Sequence, residues 1–242
     1  MTMFAIRGTV SECKVIQINT EVAATTLVIL ILSAMLAVLL TSDYLRKRTI
    51  SLAMWSSGMW AFSFSVAMEV VFSFGIYDSI LIRAYLFLVA FLVELLAMGS
   101  MALLQKRLAM VSYVVYSLAT TVFLVIALAV SDIGNLLLNG VVYGPLPLLV
   151  TIGSSLLAFP AAIILVVVSI ISYRKTRVLR LVSIIIGVIV VSAAGTLYIA
   201  SFPAFLYLAE FIGILLLWIG FIDFGGLFSK RHLKRESVDR EI

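Results

Sequence analysis

Three acids and one arginine fall inside long apolar stretches of this chain: Glu69, Arg83, Glu94 and Glu210. A charged side chain in hydrocarbon is costly and turns toward a protein interior, a partner or water, so these four residues are where chemistry would sit. Glu69 and Arg83 lie at nearly equal distances from the turn around Ile76-Tyr77, hence at matching depth on consecutive helices. That matching predicts an ion pair across the helical hairpin, as a structural clamp or as part of a substrate site. Glu94 shares Arg83's helix face but stands about 16 Å further along the axis, which excludes direct pairing. It needs a hydroxyl, a carbonyl, water or its own proton. Glu210 is the second deep acid, with Tyr207 and Trp218 available on the same helix. Such acids can pass protons or cations through a membrane, and they can equally lock helix packing with a hydrogen bond. The sequence leaves both readings open.

The residue types that are missing narrow the chemistry. All six lysines lie outside the apolar stretches, so no intramembrane Schiff base can form. The single histidine, His232, lies near the C-terminus, which removes His-ligated haem, zinc or copper and the base of a Ser-His protease. Only Asp223 approaches the position an intramembrane aspartyl protease would require, and no phosphate-cradling glycine loop is present. The expectation is therefore a protein without cofactor, metal or enzymatic activity. Cys13 is the only cysteine, so an intramolecular disulfide is impossible.

These groups must be held by elements that tolerate hydrocarbon. With 64% hydrophobic residues and a mean hydropathy of +1.23, the composition is that of a multi-pass membrane protein. Apolar runs bounded by charges or turn residues predict an all-α bundle of seven transmembrane helices at about 23–43, 50–74, 79–104, 108–131, 147–172, 181–201 and 203–224. Fourteen of the seventeen Lys and Arg residues fall on one side of that threading, at 46–48, 106–107, 174–180 and 230–240, with only Arg7 and Lys14 opposite. The positive-inside rule then places the N-terminus outside and the C-terminus in the cytoplasm of a cell membrane. The expected divisions are an extracellular segment over 1–22, a transmembrane domain over 23–228 and a basic cytoplasmic tail over 229–242. The first 22 residues have neither the apolar core nor the cleavage site of a signal peptide, and TVSECKVIQINT alternates weakly, as a short strand or a cap over the outer helix ends would.

An outer loop at about 132–146 carries Asn139-Gly140 between apolar triplets, a two-residue hairpin signal. Its Leu136, Leu137 and Leu138 are candidate partner contacts, or they cap the bundle itself. Lys230, Arg231, Lys234 and Arg235 in the tail are the corresponding candidates on the inner side. The net charge of +5 comes from basic residues at helix ends and in the tail, which suit anionic lipid and not nucleic acid. Ser57, Ala61, Ser65 and Glu69 predict a small, mildly polar ridge on the second helix; Ser183, Gly187 and Gly195 do the same on the sixth. Pro160 should kink the fifth helix.

Trp55, Gly58, Trp60 and Phe62, the RAYLFL start of the third helix and the closing AEFIGILLLWIGF resemble the seven-helix sensor regions that precede prokaryotic histidine kinases. The threading is also similar to that of microbial rhodopsins, without the retinal lysine, and no output domain is expected after Phe228. The resemblance implies an accessory or sensor-like subunit working through other membrane proteins or further copies of itself. The alternative is a small transporter or channel using Glu94 and Glu210.

The threading is testable on intact cells. An impermeant thiol reagent should label Cys13, while cysteines introduced as Thr176→Cys and Ser229→Cys should resist it; labelling of the introduced pair from outside overturns the orientation.

Overall fold

The structure, a computed structural model, describes residues 3–74, 76, 78–104, 106–133, 137–138, 141–142, 146–176, 183, 186–187, 190 and 203–221; side chains are described from Ala24 onward, except those of 134–145, 175–176, 203–207 and 221. Six helices appear among these residues: α1 (Met3–Lys47), α2 (Ile50–Ser73), α3 (Ser79–Leu103), α4 (Arg107–Val130), α5 (Leu148–Thr176) and α6 (Pro203–Phe221). Four stretches are long and apolar enough to cross a membrane: Ala24–Lys47, Ser79–Leu103, Arg107–Val130 and Leu148–Arg174. The protein is a helical, multi-pass membrane bundle. Most of the span expected at 181–201 lies outside the described residues, although Ser183, Ile186, Gly187 and Val190 are helical.

Helix boundaries follow the charges closely, with one difference. The N-terminal segment expected as a strand or cap continues α1 as helix from Met3. No proline interrupts 3–47, and a strand would need a neighbouring edge, whereas the strands among the described residues pair only with each other. Those strands are β1 (Leu137–Leu138) and β2 (Val141–Val142), antiparallel with Leu138 opposite Val141, which is the register a two-residue Asn-Gly loop requires. β2 lies against α2. Between α1 and α2 the chain reverses through Arg48 and Thr49, with Arg48 in the left-handed region at φ 47°.

The helices pack in the order α6, α1, α2, α3, with α4 and α5 both against α3 and against each other. One apolar cluster joins Ile29 and Leu36 of α1, Met59 and Val66 of α2, Leu96 of α3 and Ile214 of α6; a second joins Phe72, Ile82, Leu124 and Leu157. α2 is the most polar of the early helices, yet Ser51, Ser56, Ser63, Ser65 and Ser73 are all buried because α1 and α3 cover it from two sides. Ser56, Ser63, Ser65 and Ser73 each stand within hydrogen-bond reach of a carbonyl one turn back, and the single Ser63 proton is shared between that carbonyl and Ser33 Oγ of α1 at 3.1 Å. Of the expected ridge, Ala61, Ser65 and Glu69 are buried, but Ser57 is exposed. Each four-residue step overshoots a full turn by about 40°, so three steps carry Ser57 about 120° away from Glu69.

Tryptophan stitches these interfaces. The Trp55 indole donates to the Leu96 carbonyl at 3.2 Å, Trp60 to Thr41 Oγ1 at 3.1 Å and Trp218 to the Leu32 carbonyl at 3.0 Å. Trp55 can lie across α3 because residue 99 has no side chain: a Cβ there would stand 2.4 Å from Trp55 Cδ1 and 2.9 Å from the Ser51 carbonyl. Gly99→Ala should therefore destabilise the bundle by about 1–3 kcal/mol through overpacking, and Trp55→Phe by about 1 kcal/mol through the lost hydrogen bond. Denaturant unfolding in mixed micelles measures both; wild-type stability in the pair would refute this account of the α2–α3 contact.

Candidate functional site

The expected Glu69–Arg83 ion pair is not formed. Arg83 extends to the C-terminal end of α4, donating from Nη1 to the Ala129 carbonyl at 2.9 Å and from Nη2 to the Ser131 carbonyl at 3.2 Å. Terminal carbonyls lack intrahelical donors and carry the negative end of the helix dipole, so a guanidinium suits them. Glu69 accepts instead from Tyr85, whose hydroxyl lies 2.7 Å from Oε1. Tyr85 also stands edge-on to Phe72 at 5.7 Å, which aims its hydroxyl along α2. Two residues on a helix differ by about 200° in direction, so a helix that turns Tyr85 to α2 must turn Arg83 away from it. Depth was legible from spacing; direction was not.

Glu69 is 6% exposed and Glu210 is 8% exposed. Both acids are buried, Glu69 on α2 and Glu210 on α6. Val66, one turn before Glu69, belongs to the first apolar cluster, and Phe211, next to Glu210, packs against it. The Oε2 atom of each acid is buried without a hydrogen-bond partner. Trp218, two turns further along α6, donates to α1, and the Tyr207 side chain lies outside the described residues.

Glu94 forms a second centre. It is fully buried, sharing Arg83's helix face as the spacing requires, and it therefore meets the middle of α4 where Arg83 meets its end. The polar neighbours are Tyr113 and Ser117, one turn apart on α4. Neither Glu94 oxygen nor the Tyr113 hydroxyl makes a hydrogen bond.

Close by, α4 compensates a defect in α5. Pro160 has no N–H, which leaves the carbonyl four residues earlier, that of Leu156, without its helical donor. The Tyr116 hydroxyl donates to that carbonyl at 2.7 Å, and α5 continues across Pro160 as one helix. Gly153 permits the approach, since a Cβ there would come within 3.3 Å of Leu124 Cα. Beside this contact runs a groove of about 330 Å³ lined by Thr151, Ile152, Ser155, Leu156, Phe159 and Pro160, which contains none of the acids.

Of the candidate contact residues, Leu137 and Leu138 form β1, while Leu136, Lys230, Arg231, Lys234 and Arg235 lie outside the described residues. Among the described residues no group of His, Cys, Asp and Glu is placed to hold a metal. No family model, curated protein or solved structure matches the chain.

A double-mutant cycle tests the repair of α5. Tyr116→Phe should cost about 1–3 kcal/mol by stranding the Leu156 carbonyl, and much less in a Pro160→Ala background, where the helix supplies its own donor. Equal costs in both backgrounds would show that the hydroxyl does not serve the proline site.

Proposed function

We propose that this chain is a non-enzymatic, seven-span protein of the cell membrane, N-terminus outside and C-terminus cytoplasmic, acting as a sensor-like or accessory subunit through other membrane proteins or copies of itself. The observation that carries this reading is the placement of the buried acids. Glu69 of α2 meets Tyr85 of α3, Glu94 of α3 meets Tyr113 and Ser117 of α4, and Glu210 is buried on α6, so the polar chemistry is divided between helix contacts rather than gathered around one substrate. Acids at helix–helix interfaces respond to occupancy by changing how the helices pack, and packing is what a neighbouring membrane protein reads. The connections described between the helices are short, with one small hairpin, which leaves helix faces, loop docking and lipid as the means of transmission.

A small transporter or channel is the second reading, favoured by Glu94: a fully buried carboxyl with two unsatisfied oxygens, beside an unsatisfied tyrosine hydroxyl, is a place where a proton or cation could rest.

Mild detergent extraction separates the two. The subunit reading expects stoichiometric partners or a defined homo-oligomer, with recovery reduced by replacing Leu136, Leu137 and Leu138 with serine or by deleting 230–242, while membrane insertion persists. A monomeric, partner-free chain that supports substrate flux in liposomes, abolished by Glu94→Gln or Glu210→Gln, would replace it with the transporter.

A further inference from the structure

We propose that Glu94, Tyr113 and Ser117 form a proton-binding site between α3 and α4, where the Glu94 carboxyl takes up one proton from water and releases it again. The inference deepens the sensor-like reading and rests on it for its use: the proton is the occupant to which this helix contact responds. Helix geometry places the site. Arg83 reaches the Ala129 and Ser131 carbonyls of α4 at 2.9 and 3.2 Å, and Glu94, eleven residues on, points within about 20° of the same direction. α3 and α4 are consecutive, antiparallel and in contact, so eleven residues back along α4 from Ala129 leads to the level of residue 118, beside Ser117 and little more than a turn from Tyr113. Leu92, Leu96 and Ala97, on either side of Glu94, share one buried cluster with Tyr113. Glu94, Tyr113 and Ser117 are all more than nine-tenths buried, and both Glu94 oxygens and the Tyr113 hydroxyl stand there without a hydrogen bond.

A carboxylate in this position needs a positive charge, and the described side chains supply none within reach. α3 packs against α2, α4 and α5. On α3 itself, Arg83 is committed to the end of α4, and Tyr85 donates to Glu69. The only ionisable residue of α2 is Glu69. α4 offers Arg107, about three turns from the level of Glu94, and Tyr116, which donates to the Leu156 carbonyl. α5 has Tyr173, Arg174 and Lys175 at its C-terminal end, two turns or more past Leu165 of the shared cluster. A metal cation fits poorly, because α3 and α4 run unbroken past this level and keep their carbonyls in the helical ladder, unlike the broken helices whose carbonyls hold sodium in transporters. A proton needs no such cage. On one Glu94 oxygen it makes that oxygen a donor to Tyr113 or Ser117, whose own hydroxyl hydrogens can turn to the other oxygen. Uptake breaks an O–H bond of hydronium and forms one on the carboxyl; release returns the proton to water and leaves the carboxylate, so charge balances with no other reactant. Hydrating that carboxylate requires α3 and α4 to part, which ties proton occupancy to helix packing.

The test is carboxyl infrared absorption of the full chain in lipid nanodiscs at neutral pH. Wild type should show one protonated carboxyl more than Glu94→Gln; equal signals overturn the site. Transfer to D2O should move that band to lower frequency, and a band that stays in place shows a sealed acid that exchanges no proton, which also overturns it. Tyr113→Phe and Ser117→Ala keep the acid and so guard against misfolding of Glu94→Gln: at least one should shift the band frequency while preserving its intensity, and no shift in either sinks the assignment. Raising sodium at fixed pH should leave the band in place; its loss would assign the site to a metal cation and overturn the proposal. Partner recovery after mild extraction is a separate readout. A Glu94 band in a chain without partners upholds the proton site and sinks the sensor-like reading, whereas partners without the band do the reverse.

Discussion

Inside hydrocarbon a hydrogen-bonding group has no water to turn to, and the contacts between the helices of this bundle are built around groups that find a partner on a neighbouring helix. Trp55, Trp218 and Tyr116 all donate to main-chain carbonyls of another helix, and Arg83 does the same to the end of α4. Carbonyls are the natural targets because each has a second lone pair beyond the one used in its own helix. Close approach is what makes them reachable, and Gly99 and Gly153 allow it where a side chain would hold the helices apart. Small residues and long donors therefore work as complementary halves of one packing scheme.

The acids are exceptions to that scheme. Each keeps at least one oxygen unsatisfied, while Ser56, Ser63, Ser65 and Ser73 of α2 each find a carbonyl on their own helix. The Tyr113 and Thr121 hydroxyls share that condition, and incomplete satisfaction in a buried position calls for an explanation in each case. Their separation also matters: a change at Glu69 and Glu210 acts on the α1, α2 and α6 side of the bundle, and a change at Glu94 acts where α3 meets α4. α3 carries both Tyr85 and Glu94 and is the helix through which the two centres share a scaffold.

Much of the fold was legible because charges bracket the apolar runs: the ends of α2, α3 and α4 fall within a residue of where Arg48, Asp78, Lys106 and the outer loop place them. The hairpin register was legible from Asn139-Gly140 alone. What spacing along one helix cannot convey is the azimuth at which that helix meets its neighbours. Hence Glu69 and Arg83 could be matched in depth and still face different helices, and Ser57 could fit a four-residue repeat and still point outward. Tyr85, Tyr113 and Tyr116 were missed for a related reason: a tyrosine in an apolar run looks like core, and only the three-dimensional contact reveals what its hydroxyl reaches. Pro160 was visible, but the donor that answers it lies on another helix.

The polarity of α2 bears on how the protein is made. Its serines, Glu69 and two indoles are accommodated by α1 and α3, of which only α1 has been made when α2 emerges. A charged carboxylate costs a spanning helix up to about 2.5–3.5 kcal/mol at its centre, and Glu69, close to the end of α2, has the end of the helix and Tyr85 to relieve that cost. The two-residue reversal at Arg48-Thr49 delivers α2 directly beside α1, so as the chain is made from its N-terminus the polar side chains of α2 meet α1 first and gain their second cover only when α3 follows.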